Sequence, residues 1–306
     1  MELSAARHDH MVMKVKKGVP AWIWKILRFL ILFGLSVVIL YPFLIMITIA
    51  IRPSTDLYNP LVVWVPTRLT LENFISVGQL TSYVSALGST VLINVVSAAL
   101  QAIACAVIGY GFARFRFRGR NLLFILVILT IIIPQQTYAI PGYLNYRAIH
   151  LLNNPLAMYL PALFGNGIRS GICIFIYRQF FLGMPRELEE AAYIDGYGPA
   201  ATFVRVMLPN AGPSILSVSV LSLVWYWNDY FFAGMYFSNA NTVSLNLTKL
   251  QALVWDSAKY VSGTDPYLSA VQLEAGCLLA ILPLIILYAL IQKKFTQSML
   301  SCGIVG

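Results

Sequence analysis

Six stretches of this chain stay apolar for about 20 residues or more, and at 1.5 Å per residue each is long enough to cross the roughly 30 Å core of a bilayer. They run over Trp22 to Ile51, Val84 to Ala113, Leu122 to Ile140, Met158 to Phe181, Ile215 to Met235 and Ala270 to Ile291. Backbone polar groups in lipid must be satisfied within their own segment, and the period-2 alternation of a barrel strand is missing, so each stretch is expected to be helical. Only 11% of residues are charged against 59% hydrophobic, which leaves no material for a sizeable soluble domain. The expected fold is all-α and polytopic, with a tail over 1–21, a membrane domain over 22–292, an outer loop over 239–269 and a tail over 293–306.

Fifteen of the 21 lysines and arginines fall on one side of this arrangement. They comprise Arg7, Lys14, Lys16, Lys17, Lys25, Arg28, Arg114, Arg116, Arg118, Arg120, Arg178, Arg186, Arg205, Lys293 and Lys294. The positive-inside bias therefore predicts both termini in the cytoplasm. The net charge of +9 is accounted for by topology, and the RFRFRGR run beside a helix end suits anionic membrane lipid; nothing points to nucleic acid. The first apolar run is too long for a signal-peptide core and lacks a small-residue cleavage pattern, so it is expected to be retained as the first span.

Chemistry is sparse. The chain has no GxxxxGK[ST] phosphate loop, no HExxH, no CxxC among Cys105, Cys173, Cys277 and Cys302, and no histidine within a span. His8, Asp9 and His10 belong to a polar tail. A non-catalytic protein with no metal site is expected.

The segment EEAAYIDGYGPAATFVRVMLP, from Glu189 to Pro209, stands apart from its greasy surroundings. Pro185 suits a first helical position, Glu187, Glu189 and Glu190 favour a helix N-terminus, Gly196 is a natural stop, Pro199 can open a second short helix and Pro209 close it. Leu188, Ala191 and Ala192 fall on one face, where small side chains allow another protein to approach. The segment 185–209 reads as helix, glycine break, helix on the cytoplasmic side, a shape suited to a groove in a partner.

Glu190-Ala191-Ala192, Gly196 and the terminal Val206-Met207-Leu208-Pro209 resemble the EAA loop of permease subunits of ATP-binding-cassette importers, with Val206 where isoleucine is usual. VPTRLTLENF (65–74), YGFARFRFRGR (110–120), YRQFF (177–181), WNDYF (227–231) and QKKF (292–295) extend the resemblance over nearly the whole chain, toward the carbohydrate-importer branch of the six-span maltose-permease type. Gly88-Ser89 departs from the usual Asn-Ser. The resemblance implies that Glu190, Ala191, Ala192, Gly196, Leu208 and Pro209 couple to an ATPase. Its partners would be a homologous second permease, two ATPase subunits that hold ATP and magnesium, and an extracytoplasmic sugar-binding protein, all at a bacterial inner membrane. This chain would bind no cofactor itself.

Three features bear on a substrate path. Arg169 lies within GNGIRSG, where Pro161, Gly165 and Gly167 loosen a helix; an intramembrane arginine needs a polar partner or a wet cavity, so it either pairs with another subunit or meets an acidic sugar. Tyr226, Trp227, Asn228 and Asp229 could stack a sugar ring and bond its hydroxyls, with interfacial anchoring the other reading for the neighbouring Trp225 and Tyr230. Glu274 suits helix packing or a rim contact. In the outer loop, Trp255 and Tyr260 are the expected contacts to the binding protein, with burial against the membrane surface as the alternative. The expected function is a non-catalytic importer subunit for oligosaccharides, acidic ones included. An ion-coupled secondary transporter, which would show intramembrane carboxylates or an inverted repeat, is the second reading, and a membrane scaffold the third.

Overall fold

The computed structural model describes residues 21–237, 241–258 and 267–303. The N-terminal 1–20 and Tyr260 lie outside the described residues.

Among the described residues the chain is helical without strands. Three helices are uninterrupted and long enough to span a bilayer: α1 (Ala21–Ala50), α3 (Tyr83–Arg114) and α13 (Leu268–Gly303). Between α1 and α3 lies α2 (Glu72–Leu80), preceded by a loop in which buried Arg52 donates to the carbonyls of Val62 and Val63 and buried Asp56 accepts from the Thr67 amide.

The third, fourth and fifth predicted spans are broken, each for a visible reason. α4 (Arg120–Ile132) ends before Pro134, which pushes Ile133 into extended backbone (φ −74°, ψ 121°); the chain then turns through 98° into α5 (Ala139–Ala148). α6 (Leu156–Leu163) contains Pro161 and gives way to a loop in which Gly165 and Arg169 both take positive φ before α7 (Ser170–Gly183) begins. α10 (Gly212–Trp227) stops at Asn228, and the Asp229 carboxylate accepts from the amides of Phe232 (3.2 Å) and Ala233 (2.9 Å) to start α11 (Phe231–Tyr236). By length and composition, three described helices can cross a membrane alone, and up to five crossings result if Arg120–Ile132 with Gln135–Ala148 and Pro199–Asn210 with Gly212–Trp227 each count as one bent span; the six spans expected from hydropathy are not all whole helices among the described residues.

Two short helices join α7 to α10: α8 (Glu187–Ile194) and α9 (Pro199–Asn210), the latter widened to a π-helical turn over Phe203–Met207 and meeting α10 at 79°. Pro209 sits inside α9; its ring would clash with the carbonyl four residues back, and the wider turn removes that clash. The outer segment, expected as a long loop, contains α12 (Val243–Ala258).

α3 is the central post, with α6, α7 and α10 packed around it. Its inward face is built of small residues, Ala98, Ala102, Cys105, Ala106 and Ala113, which let neighbouring backbones come close where no hydrophobic drive toward lipid exists. α13 gathers the remaining elements, lying against α1, α2, α10 and α12.

Candidate functional site

Two regions stand out as candidate sites, one at the C-terminal end of α3 and one beside its middle, next to Gln101. The first is the helix–glycine–helix segment. α8 starts at Glu187, two residues after Pro185, with Glu187, Glu189 and Glu190 in its first turn. It ends in a Schellman turn: the Tyr197 amide donates to the Ala192 carbonyl (3.0 Å), the Gly196 amide to that of Tyr193 (3.1 Å), and Gly196 takes φ +83°. Pro199 is the first residue of α9. The predicted stop and restart therefore fall where the sequence places them.

The segment is tied down by a carboxylate that the sequence reading passed over as a dipole partner. Tyr110, near the end of α3, donates its hydroxyl to Glu189 Oε1 at 2.7 Å, and Arg114 Nε lies 3.6 Å from Oε2. Arg114 also donates to the Met184 carbonyl, the residue that leaves α7 (2.7 Å). Around this anchor, the Tyr110 ring meets Phe115, Phe181 and Phe203, the last with centroids 4.8 Å apart. The i, i+4 spacing of Tyr110 and Arg114, on one helix face, was the available signal.

The expected partner face needs a correction. Ala192 is buried at 3% exposure, and Leu188 packs on the cluster around Tyr110, Phe181 and Met207, so these two serve the chain's own core rather than an outward surface. Glu190, Ala191, Gly196 and Pro209 are exposed and Leu208 is half-buried. What the segment presents outward is Tyr193, Ile194 and Val204, with Ile194 86% exposed.

The second region is a cavity of about 310 Å³ where the helix breaks converge. Gln135 and Tyr138 follow the Pro134 break, Asn145 and Tyr146 come from α5, Asn166, Gly167 and Ile168 from the α6–α7 break, Tyr226 from α10 and Tyr236 from α11. Behind its wall a buried network holds the pieces together. Tyr226 donates to Gln101 Oε1 (2.9 Å), and Gln101 Nε2 donates to the Ile168 carbonyl (2.9 Å) and Ser222 Oγ (3.1 Å) and lies 3.4 Å from Cys173 Sγ. Gly167 fits here because it lacks a side chain: a Cβ would lie 2.3 Å from both Gln101 Oε1 and Tyr226 Oη. Cys105 and Cys173 are both buried beside this network.

Of the residues expected along a substrate path, Tyr226 alone lines the cavity. Trp227 is buried and donates Nε1 to the Ala280 carbonyl of α13, so it locks two helices. Asn228 folds back on the Val224 carbonyl, and Asp229, just before α11, accepts from the amides of Phe232 and Ala233 in its first turn. The WNDYF run is a helix break and restart, which uses its polar groups internally. Arg169 stands at the first residue before α7 with φ +55°, exposed, its guanidinium 5.3 Å from the Trp225 ring centroid and outside the cavity lining. Gln135, Tyr138, Asn145, Tyr146, Asn166 and Tyr236, unremarked in the sequence, join Tyr226 as the polar groups of the lining, with Gln101 behind them. Trp255 is 49% exposed on α12, and Glu274 is half-buried in α13.

Comparison with known proteins agrees with this architecture. Residues 102–301 match the family described as binding-protein-dependent transport system inner membrane component, and the chain belongs to that family. It is a multi-pass membrane permease of the ATP-binding-cassette importer class, which sets aside the secondary-transporter reading. It is 29% identical to the arabinooligosaccharides transport system permease protein AraQ of Halalkalibacterium halodurans, over 89% of this chain and 93% of that one. With the polygalacturonan/rhamnogalacturonan transport system permease protein YtcP of Bacillus subtilis the identity is 25%, over 91% and 96%. Among solved structures, a chain of a bacterial ABC transporter involved in the import of the acidic polysaccharide alginate superposes with a TM-score of 0.71 at 21% identity, covering 89% of this chain and 96% of that chain.

Proposed function

We propose that this chain is one membrane-spanning subunit of an ATP-driven oligosaccharide importer, assembled with a homologous permease, two ATPase subunits that bind ATP and magnesium, and an extracytoplasmic binding protein. Both termini and the α8–α9 segment face the cytoplasm, on the side that gathers most of the arginines and lysines. The subunit itself hydrolyses nothing.

The observation that carries the substrate class is the cavity at the helix breaks. Its polar groups are phenols and amides, Tyr138, Tyr146, Tyr226, Tyr236, Gln135, Asn145 and Asn166, and no charged side chain is among its lining. Aromatic faces and neutral donors and acceptors suit a hydroxyl-rich ring, and broken helices are where transporters put polar backbone at membrane depth. Relatives whose names specify arabino- and galacturonan-type saccharides support the same class.

The coupling follows from the contacts of α3. ATP-driven closure of the ATPase dimer moves the exposed Tyr193–Ile194 surface of α8. Glu189 transmits that movement to Tyr110 and Arg114, and α3 is one continuous helix from there to Gln101, about 13 Å from Tyr110 along the axis. Gln101 holds both Tyr226 and the α6–α7 break. A rigid α3 thus links the ATPase contact to the cavity wall.

The test is reconstitution of the complex in liposomes with its binding protein and a panel of oligosaccharides. Uptake that requires ATP, and that falls with Asn145→Leu while the complex stays assembled on a sizing column, is the expected result. ATP-dependent uptake of a different solute class, with no response to oligosaccharides, would overturn the saccharide assignment.

A further inference from the structure

The turn from α3 into α4 places Arg116, Arg118 and Arg120 within five residues, with Gly119 at φ +84° as the last residue before α4. Arg178 of α7 reaches the same helix: its guanidinium lies 4.0 Å from the ring centroid of Phe124, one turn along α4 from Arg120. Among the described residues, Glu189 is taken by Arg114, and none of Arg116, Arg118, Arg120 and Arg178 lies within ion-pair distance of a carboxylate. Arg178 Nε is buried with no partner, and Arg120 reaches only the Phe115 carbonyl at 3.4 Å. Two half-buried guanidinium groups brought together without an anion are unfavourable, since like charges repel and buried charges need pairing. An anion bound beside them would offset that cost.

The ground beneath the pair says what kind. Phe124 stacks on Phe175, with centroids 6.4 Å apart, and Phe175 is exposed. Leu122, Leu123, Ile125 and Leu126 of α4 are exposed as well, a surface that continues directly from the arginines into the apolar span. A free phosphate would use the cations and leave this surface bare. The contact proposed above for the ATPase is elsewhere, at Tyr193 and Ile194, and the Arg178 guanidinium sits over the Phe124 ring, half-buried.

We infer that Arg120 and Arg178 form a site for the phosphate head group of an anionic phospholipid whose acyl chain lies along Phe124, Phe175 and the exposed leucines of α4. The bidentate fork of each guanidinium matches phosphate oxygens, and the lipid pins α4 to α7 at the membrane edge next to the coupling segment. The site is independent of which solute is carried.

The test uses the assembled transporter in nanodiscs of phosphatidylcholine that contain a photoactivatable phosphatidylglycerol, against nanodiscs in which the photoactivatable lipid is phosphatidylcholine. Label from phosphatidylglycerol should concentrate on the peptides that carry residues 116–126 and 172–183, and excess inorganic phosphate should leave it in place. The double variant Arg120→Gln with Arg178→Gln should lower that label roughly thirtyfold, the equivalent of two interfacial arginines at about 1 kcal/mol each. Equal labelling by the two lipids in the wild type overturns the inference, and that comparison stands even if the double variant fails to assemble. So does displacement by inorganic phosphate, which makes the site one for a free anion. Loss of an ATPase subunit from the double variant with lipid label unchanged overturns it too, and reassigns the arginines to protein docking.

Discussion

Gly196 and Glu189 divide the coupling segment between backbone and charge. At Gly196 the space around a hypothetical Cβ is open, so the restriction is the φ of +83° alone. A β-branched side chain in that conformation costs roughly 1–2 kcal/mol or more, while asparagine tolerates it. Gly196→Val is therefore expected to abolish stimulation of ATPase activity by loaded binding protein in reconstituted complexes, and Gly196→Asn to retain most of it; equal activity in both would remove the turn from the coupling mechanism. Glu189 acts differently. It and Arg114 are 12% and 8% exposed at the side chain, and removing one partner of such a pair leaves the other uncompensated at about 3 kcal/mol. Glu189→Ala should give a complex in which hydrolysis continues while sugar uptake falls at least tenfold, read as uptake per ATP hydrolysed. Arg169 poses a third question of this scale. If it draws an acidic sugar toward the cavity, Arg169→Gln lowers uptake of uronate oligosaccharides several-fold more than of matched neutral ones. Equal loss on both substrates would assign it to a contact with the partner permease.

At the scale of elements, the helix breaks build the cavity proposed as the substrate site, and they were only half legible in the sequence. Pro134, Pro161 and Gly165 announce an interruption by residue type, and the Gly196 stop is equally plain. Asp229 was read as a sugar contact, because an acidic residue in an aromatic run looks like a ligand when its own backbone neighbours are the acceptors' true partners only in three dimensions. α12 was read as loop because its polar residues depress the average. Its apolar positions Val243, Leu247, Leu250 and Val254 nevertheless follow helical spacing, and Leu250 and Val254 are buried in the cluster that includes Ala275 of α13. The cavity was hidden for a deeper reason: Gln135, Asn145, Asn166 and Tyr226 lie far apart in sequence and converge only through the bends. Gly167 tests the convergence. With a Cβ 2.3 Å from Gln101 Oε1 and Tyr226 Oη, Gly167→Ala must separate the α6–α7 break from α3 or α10. Sugar uptake should be lost with the complex still assembled, and Gly167→Ala combined with Gln101→Ala, which removes one obstructing group, should recover part of it. Undiminished uptake by the single variant would mean that the network does not shape the path.

Across the whole molecule, the two ends of α3 are served by different kinds of surface. At the arginine-rich end the α8–α9 segment exposes the apolar Tyr193, Ile194 and Val204, the patch proposed above as the ATPase contact. At the other end α12 is docked along α13 by Leu250, over which Gly276 makes room, and turns Ala252 and Trp255 away from the bundle. One helix therefore has a buried edge that reports on α13 and an exposed edge free to meet another protein. A binding protein that docks there would feel movements of α13, which also bonds the end of α10 through Trp227 and the Ala280 carbonyl. Photoactivatable side chains at positions 252 and 255 should crosslink to the binding protein when the complex is held with loaded binding protein and ATP, and one at the buried position 250 should not. Trp255→Ala should weaken stimulation of hydrolysis by the loaded binding protein, with basal hydrolysis unchanged, because the lost contact belongs to docking and not to the ATPase. Crosslinks that go only to lipid in an actively transporting complex would place Trp255 at the membrane surface and remove α12 from the docking site.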